Sequence, residues 1–284
     1  MTDVEIVTHD AKGKPAIKKK EAFAKYAPEF SFDLTCSFEA LLDTIDGNIK
    51  ANHPGIAQGA FNNCHGDWYE WLLAIAAWNR RIETGSKLAV YLLPNVKRFQ
   101  VSDLYIPKIS QYITDLKAKT VETAGVELIT SNPDFVIIDT TDIDLPDYFA
   151  EPIQQVSIET LDMLEQAYEH YIGKCSFSGL YGYISVKNSL RPDRRLQIAH
   201  EGSLMKALYV HIQTREWIIA PNGLKYYAIS QKATSADLRA LKTVATHSIT
   251  SVESIPQSAV DEAYQVSTIA EAVTAFNEIL NPSA

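Results

Sequence analysis

Three side chains stand where a phosphate-directed reaction would need them. Asp134 follows Pro133 at the mouth of an apolar run, Phe135-Val136-Ile137-Ile138. Lys187 closes a second run, Tyr183-Ile184-Ser185-Val186-Lys187. Glu201 lies beyond Pro192, seven residues after Arg194. Carboxylate oxygens are the natural ligands of a hard cation such as Mg2+. Such a cation stabilises a pentavalent phosphate and its leaving oxygen, and lowers the pKa of an attacking water. A neighbouring lysine orients that water or helps to deprotonate it. These residue types are the parts of a metal-dependent phosphodiesterase, although each taken singly is unspecific.

The elements that must carry them are legible. Side chains alternate across a strand, so Tyr183, Ser185 and Lys187 share one face and Gly182, Ile184 and Val186 the other. The second set is small or apolar and is assigned to the core; the first is assigned to a cleft or to solvent. After Pro192 the spacing of Leu196, Ala199, Leu204, Ala207 and Leu208 predicts a helix with that buried face. On a regular helix Arg194 and Glu201 project within about 20° of each other. A further acid, Glu70, interrupts an almost wholly apolar helix predicted over Ala60 to Ile82. Glu70 reads equally as an acid needing a metal or partner there, or as a polar edge bridging Arg80 or Arg81.

Helices are predicted over Ser37–Lys50, Ile106–Ala124, Ser157–Tyr171, Ser235–Thr243 and Thr268–Leu280, with Ser37 as an N-cap. Strands are predicted at Leu88–Leu93, Val126–Thr130, Phe135–Ile138 and His247–Val252. A hairpin is predicted from Glu216–Ala220 and Lys225–Ser230 across Pro221-Asn222-Gly223. Thr140 to Tyr148 reads as a solvated loop. The lysine-rich stretch Lys12 to Lys20 reads as a solvated arm, or as a flexible clamp on DNA phosphate. The intermixed elements define an α/β class with a mixed central sheet. Residues 1–55 are expected to form an N-terminal helical arm region packed on the same domain. Residues 56–284 are expected to hold catalysis and recognition.

The 284 residues are 46% hydrophobic and 21% charged, which describes a folded chain with a substantial core. The longest clean apolar run, Trp71 to Trp78, is eight residues, far short of the ~20 that span a bilayer. The charged N-terminus lacks a signal-peptide core. Cys36, Cys64 and Cys175 suggest neither a disulfide framework nor a metal-binding pair, so a reducing cytoplasm is expected. The net charge of −9 argues by itself against a nucleic-acid partner. Between Ser185 and His200, however, four cations (Lys187, Arg191, Arg194, Arg195) face one anion, Asp193. Phosphate contacts are local, so an acidic protein with one basic cleft can still bind DNA.

Together these residues resemble a family. Asn132-Pro133-Asp134, Ser185-Val186-Lys187, Arg191-Pro192-Asp193-Arg194-Arg195 and His200-Glu201-Gly202 are similar to the type II restriction endonucleases of the PD-(D/E)XK superfamily, in the branch that reads a CCGG core. Gly66-Asp67-Trp68-Tyr69-Glu70-Trp71 and Lys242-Thr243-Val244-Ala245-Thr246-His247 add to the likeness, which runs from about Gly59 onward. It implies a restriction-endonuclease-like fold, a central mixed β-sheet flanked by helices. It implies Asp134 and Glu201 as metal ligands, Lys187 as the catalytic lysine and Glu70 as a supporting acid. Ser185 stands where many members carry the second acid; in this branch that acid comes from the next helix, here Glu201.

The resemblance also assigns base reading to Arg191, Asp193 and Arg194. Arginine bonds bidentately to guanine O6 and N7, and aspartate accepts from cytosine N4, so the chemistry agrees. Arg195 reads equally as a phosphate contact or a structural salt bridge. The implied activity is Mg2+-dependent cleavage of double-stranded DNA at purine-CCGG-pyrimidine (RCCGGY), before the first C of the core. A two-fold symmetric target implies a homodimer at least, and the family suggests a homotetramer in a bacterial cytoplasm, with no membrane partner. Two rivals remain: a DNA-binding protein of the same fold that does not cut, and a repair-type nuclease with little sequence preference. The complete alternative acid set disfavours the first, and the Arg191–Arg195 segment disfavours the second.

Overall fold

The computed structural model describes residues 5–9, 13–27, 34–96, 98–130 and 132–282. Near the N-terminus, β1 (Val7–His9) and β2 (Pro15–Ile17) pair as a small antiparallel ribbon. The helix α1 (Lys19–Tyr26) follows, then α2 (Phe38–Asn52), whose first turn is capped by the Ser37 hydroxyl. Next comes α3 (Gln58–Thr84), which ends where Gly85 takes φ 64°. That left-handed turn costs glycine little and lets the N–H groups of Gly85 and Ser86 close the last carbonyls.

The main sheet is built from β3 (Leu88–Leu92), β4 (Phe135–Asp139), β5 (Leu180–Ser189), β6 (Lys225–Lys232) and β7 (Glu262–Gln265), in that spatial order. The β3–β4 and β4–β5 pairs are antiparallel, and β5–β6 and β6–β7 are parallel. A register shift between Ile137 and Ile138 kinks β4 against β5. The helices α4 (Pro107–Ala124), α5 (Ile158–Gln166), α6 (Pro192–Arg215), α7 (Ser235–Leu241) and α8 (Ile269–Leu280) complete the fold. This is an α/β architecture with a mixed five-stranded sheet flanked by helices.

Helices cover both faces of the sheet, so its central strands are apolar throughout. Phe135, Val136, Ile137 and Ile138 are all 0% exposed. The middle of α3 is buried on every side, with Trp68, Tyr69, Leu72, Leu73 and Ala77 sealed in the core. Each large apolar side chain so buried contributes roughly 1.5–3 kcal/mol. One continuous core draws on residues from Ile6 to Leu280, so the N-terminal elements share it.

Several expectations are corrected. Tyr183 and Ser185 are buried, not open to a cleft, because β5 lies between covered neighbours. Val126–Thr130 is no strand: Val126 and Ile129 are mostly exposed and give it no buried face to pair behind. Glu216–Ala220 is no strand either. Instead β5, α6 and β6 form a crossover unit, as parallel strands require. The Pro221-Asn222-Gly223 turn, with Gly223 at φ 80°, leads the chain from α6 into β6. His247–Val252 contains a short 3-10 turn, Thr246–Ile249, and Val252 is fully exposed. Ser157–Tyr171 divides into α5 and a 3-10 turn, Ala167–Tyr171. The buried side of α6 is Ile198, Glu201, Gly202, Met205, Leu208 and Ile212, while Leu196 is 74% exposed. The lysine-rich stretch is not a free arm where it is described: Lys18 pairs with Glu5, Lys19 with Asp67, and Lys20 with Asp162 and Glu165. Lys12 lies outside the described residues.

Candidate active site

Asp134 sits at the entrance of β4, beside the kinked β4–β5 pair. Its backbone carbonyl accepts from the Leu93 N–H at 3.0 Å, which ties it to the end of β3. Nearby, Asn132 donates to the Phe99 carbonyl at 2.8 Å and anchors the approach. Three donors converge on Asp134 Oδ2: the Val186 N–H at 2.5 Å, Lys187 Nζ at 3.0 Å and the Ser185 hydroxyl at 3.3 Å. Because all three use Oδ2, the geometry of β5 fixes the carboxylate's orientation. The Asp134 and Lys187 side chains are each about a fifth exposed, open on one side only.

Glu70 approaches from α3. Its carboxyl is pushed up to about 8, first by burial and then by the Asp134 and Asp67 carboxylates, against the pull of Lys187 and Lys19. The alternative bridge does not form: Arg80 bonds Asn277 and Glu83, and Arg81 bonds the Phe149 carbonyl and Thr140. Glu70 also lines a cavity of about 290 Å3 with Asp67, Trp71, Leu93, Asn95 and Glu165.

Glu201 enters from α6 and is 7% exposed. A buried carboxylate needs donors on its oxygens. Gln197, one turn earlier, donates to Oε1 at 2.8 Å, and the Tyr226 hydroxyl on β6 donates to Oε2 at 3.1 Å. Burial, then the nearby Glu201 and Asp134 carboxylates, raise the Tyr226 phenol well above the ordinary tyrosine value. It therefore stays a donor at neutral pH. Sequence reasoning singles out neither residue. The four-residue step from Gln197 to Glu201 is a local signal that could have shown the first. Nothing local marks Tyr226, because its partner lies one crossover away.

The base-reading candidates open α6. Arg191 is its N-cap, and Pro192 occupies its first turn. The Arg191 and Asp193 side chains are 64% and 70% exposed and lie 3.8 Å apart, while Arg194 is half-buried. Arg195 takes the salt-bridge alternative: its Nη1 reaches Asp237 Oδ1 at 2.5 Å. Asp237 is held below the ordinary carboxylate range by the Thr234 hydroxyl and N–H first, and by Arg195 after them. The pair braces α6 against α7.

The donor set is fitted to a hard divalent cation. It offers oxygen only, and burial followed by the Asp134 carboxylate raises Glu70's cost of ionisation, a cost that added positive charge would relieve. Among the described residues, no three His, Cys, Asp or Glu side chains close around a point by themselves. Mg2+ needs no such cage, since it is commonly held by one or two carboxylates together with substrate phosphate and water.

The fold is that of restriction endonucleases. A solved structure of the Bse634I restriction endonuclease superposes with a TM-score of 0.88 at 31% identity, covering 98% of each chain. A crystal structure of the type IIF restriction endonuclease Bse634I with cognate DNA gives 0.87 at 30% identity, covering 99% of each. The type II restriction enzyme Cfr10I of Citrobacter freundii is 39% identical over 98% of this chain and 100% of its own length. Residues 4–282 match the family described as Cfr10I/Bse634I restriction endonuclease. The chain belongs to that family and is a type II restriction endonuclease, a DNA-cleaving enzyme. Restriction endonucleases of this kind generally depend on a divalent metal.

Proposed function

We propose that the enzyme is Mg2+-dependent and cleaves double-stranded DNA at a palindrome with a CCGG core, reading RCCGGY and cutting before the first C. The observation that carries this reading is the placement of one continuous segment. Strand β5 supplies Lys187 to Asp134, and three residues after Ser189 helix α6 begins, with Arg191 as its exposed N-cap and Asp193 exposed in its first turn. Chemistry and base reading are thus adjacent on one backbone.

Asp134 and Glu201 hold the metal in this reading, and Glu70 completes the negative pocket. The bound ion supplies charge neutralisation at the phosphoryl oxygens and acidifies water. Lys187, 3.0 Å from Asp134 Oδ2, orients the attacking water and the scissile phosphate. Ser185 holds Asp134 and leaves the second acid's role to Glu201. Arg191 and Arg194 read guanine and Asp193 reads cytosine in the major groove. Arg195 braces this segment through Asp237 and stays within reach of a phosphate. The described residues among 1–55 share a core with the domain formed by 56–284. Two subunits read the two halves of the site, which makes the working form a homodimer or homotetramer. A bacterial cytoplasm, where such DNA is met, is the expected location. Among the described residues, no helix is long and apolar enough to cross a membrane.

Digestion of a plasmid of known sequence in Mg2+ tests the proposal. Discrete bands whose ends read CCGG after the cut are expected. A smear would support the non-specific nuclease instead, and a band shift without cutting would support the non-cleaving binder.

A further inference from the structure

The Tyr226 hydroxyl holds one oxygen of the acid carried by α6. It donates to Glu201 Oε2 at 3.1 Å, while the Ser185 hydroxyl donates to Asp134 Oδ2 at 3.3 Å. Tyr226 on β6 thus holds the helix-borne acid, and Ser185 on β5 holds Asp134. Tyr226 is 0% exposed, so the hydroxyl has no route to solvent and its place is set by packing. Its backbone is fixed as well: the Tyr226 N–H donates to Asp261 Oδ2 at 2.8 Å, and buried Lys206 pairs with the same carboxylate at 2.7 Å. The helix lies tight over the ring. A Cβ on Gly202, the residue after Glu201, would stand 3.0 Å from Tyr226 Cδ1 and 2.3 Å from the Ala259 carbonyl oxygen.

We infer that Tyr226 is a positioning residue that orients Glu201 toward Asp134, doing for a helix-borne acid what strand geometry does for an acid two residues before the lysine. An acid on β5 would be aimed by the sheet itself. Glu201 instead hangs from a helix on a flexible side chain, and its aim must be supplied from outside. Tyr226 supplies it from β6 at one oxygen, and Gln197 holds the other. Partners of this kind around a ligating carboxylate typically change metal affinity by ~10–100-fold when removed. The inference rests on Glu201 being a metal ligand.

Tyr226→Phe removes the hydroxyl and keeps the buried ring. The probe is Mn2+, its free concentration read by electron paramagnetic resonance. It is titrated into the protein bound to a duplex of the cut sequence with a non-hydrolysable scissile linkage. The expected result is Mn2+ binding weakened about tenfold or more in Tyr226→Phe, with metal-free duplex binding unchanged. In a Glu201→Gln background the same substitution is expected to have no further effect. Unchanged Mn2+ affinity in Tyr226→Phe, an equal loss in both backgrounds, or a loss of metal-free duplex binding would each overturn the positioning role. If Glu201→Gln alone leaves Mn2+ binding intact, the metal-ligand reading itself has failed, and the two failures are thereby told apart.

Discussion

At the scale of single residues the site is a balance of charge. Asp134 is the centre: Lys187, the Val186 N–H and the Ser185 hydroxyl donate to it, and Glu70 is raised first by burial and then by the Asp134 carboxylate. Asp134→Ala should lower cleavage about a thousandfold or more, since it removes several kcal/mol of charge stabilisation. Sequence-specific binding should persist; a digest paired with a gel shift checks both, and normal cutting would sink the assignment. Arg194→Ala should lose ~1–3 kcal/mol of discrimination for the contact removed. Unchanged selectivity in a competition between cognate and mismatched duplexes would exclude it as a base reader. Glu70 makes a pH prediction for the metal-free protein. Between the ordinary glutamate value of 4.5 and about 8, the unfolded chain has lost a proton that the fold retains. Stability contributed by the protonated form is then lost as pH rises through that window. In chelator, the thermal midpoint should fall from about pH 5 to about pH 8, and Glu70→Gln should flatten that fall. An identical slope in the variant would show that Glu70 does not carry the excess proton.

At the scale of elements, the helix–strand contact at Gly202 is the tightest constraint on the site. A methyl there would strike the Ala259 backbone carbonyl, which cannot rotate away as a side chain would. Gly202→Ala should cost ~1–3 kcal/mol of stability through overpacking. It should also weaken cleavage by shifting Glu201; calorimetry and a cleavage time course test the two effects separately. Elements with their own periodic apolar faces are legible in the amino-acid sequence. Helix α2 with its Ser37 cap, the apolar α3, strand β4 and the β5–α6 segment all fall within a few residues of their expected bounds. Misreadings arise where a local signal serves a non-local purpose. Pro221-Asn222-Gly223 makes the same turn whether it closes a hairpin or delivers a helix to a parallel strand, and only the pairing with β5 decides. The site divides in the same way. Asp134, Lys187 and Glu201 carry signals in their own segments, but Tyr226 matters only because a 24-residue helix returns the chain beside Glu201. Strand β7 and the ribbon β1–β2 are too short to leave a pattern.

At the scale of the whole molecule, a chain of net charge −9 gathers four cations between Lys187 and Arg195, and pairs others internally, such as Lys20 with Glu165 and Lys206 with Asp261. Repulsion from the acidic remainder should keep binding to random DNA weak. A two-fold target demands an even number of subunits, so sedimentation should give at least twice the mass of one chain; a monomer at working concentration would refute this. The short link from Ser189 to Pro192 has a further consequence for engineering. In the proposed reading, recognition is not a detachable module. Replacing residues 191–195 to redirect the enzyme to another sequence would re-aim the first turns of α6, and with them the acid at 201. New specificities in this scaffold should therefore arrive as slow enzymes first, and recover speed through compensating changes on β6 rather than in the reading segment.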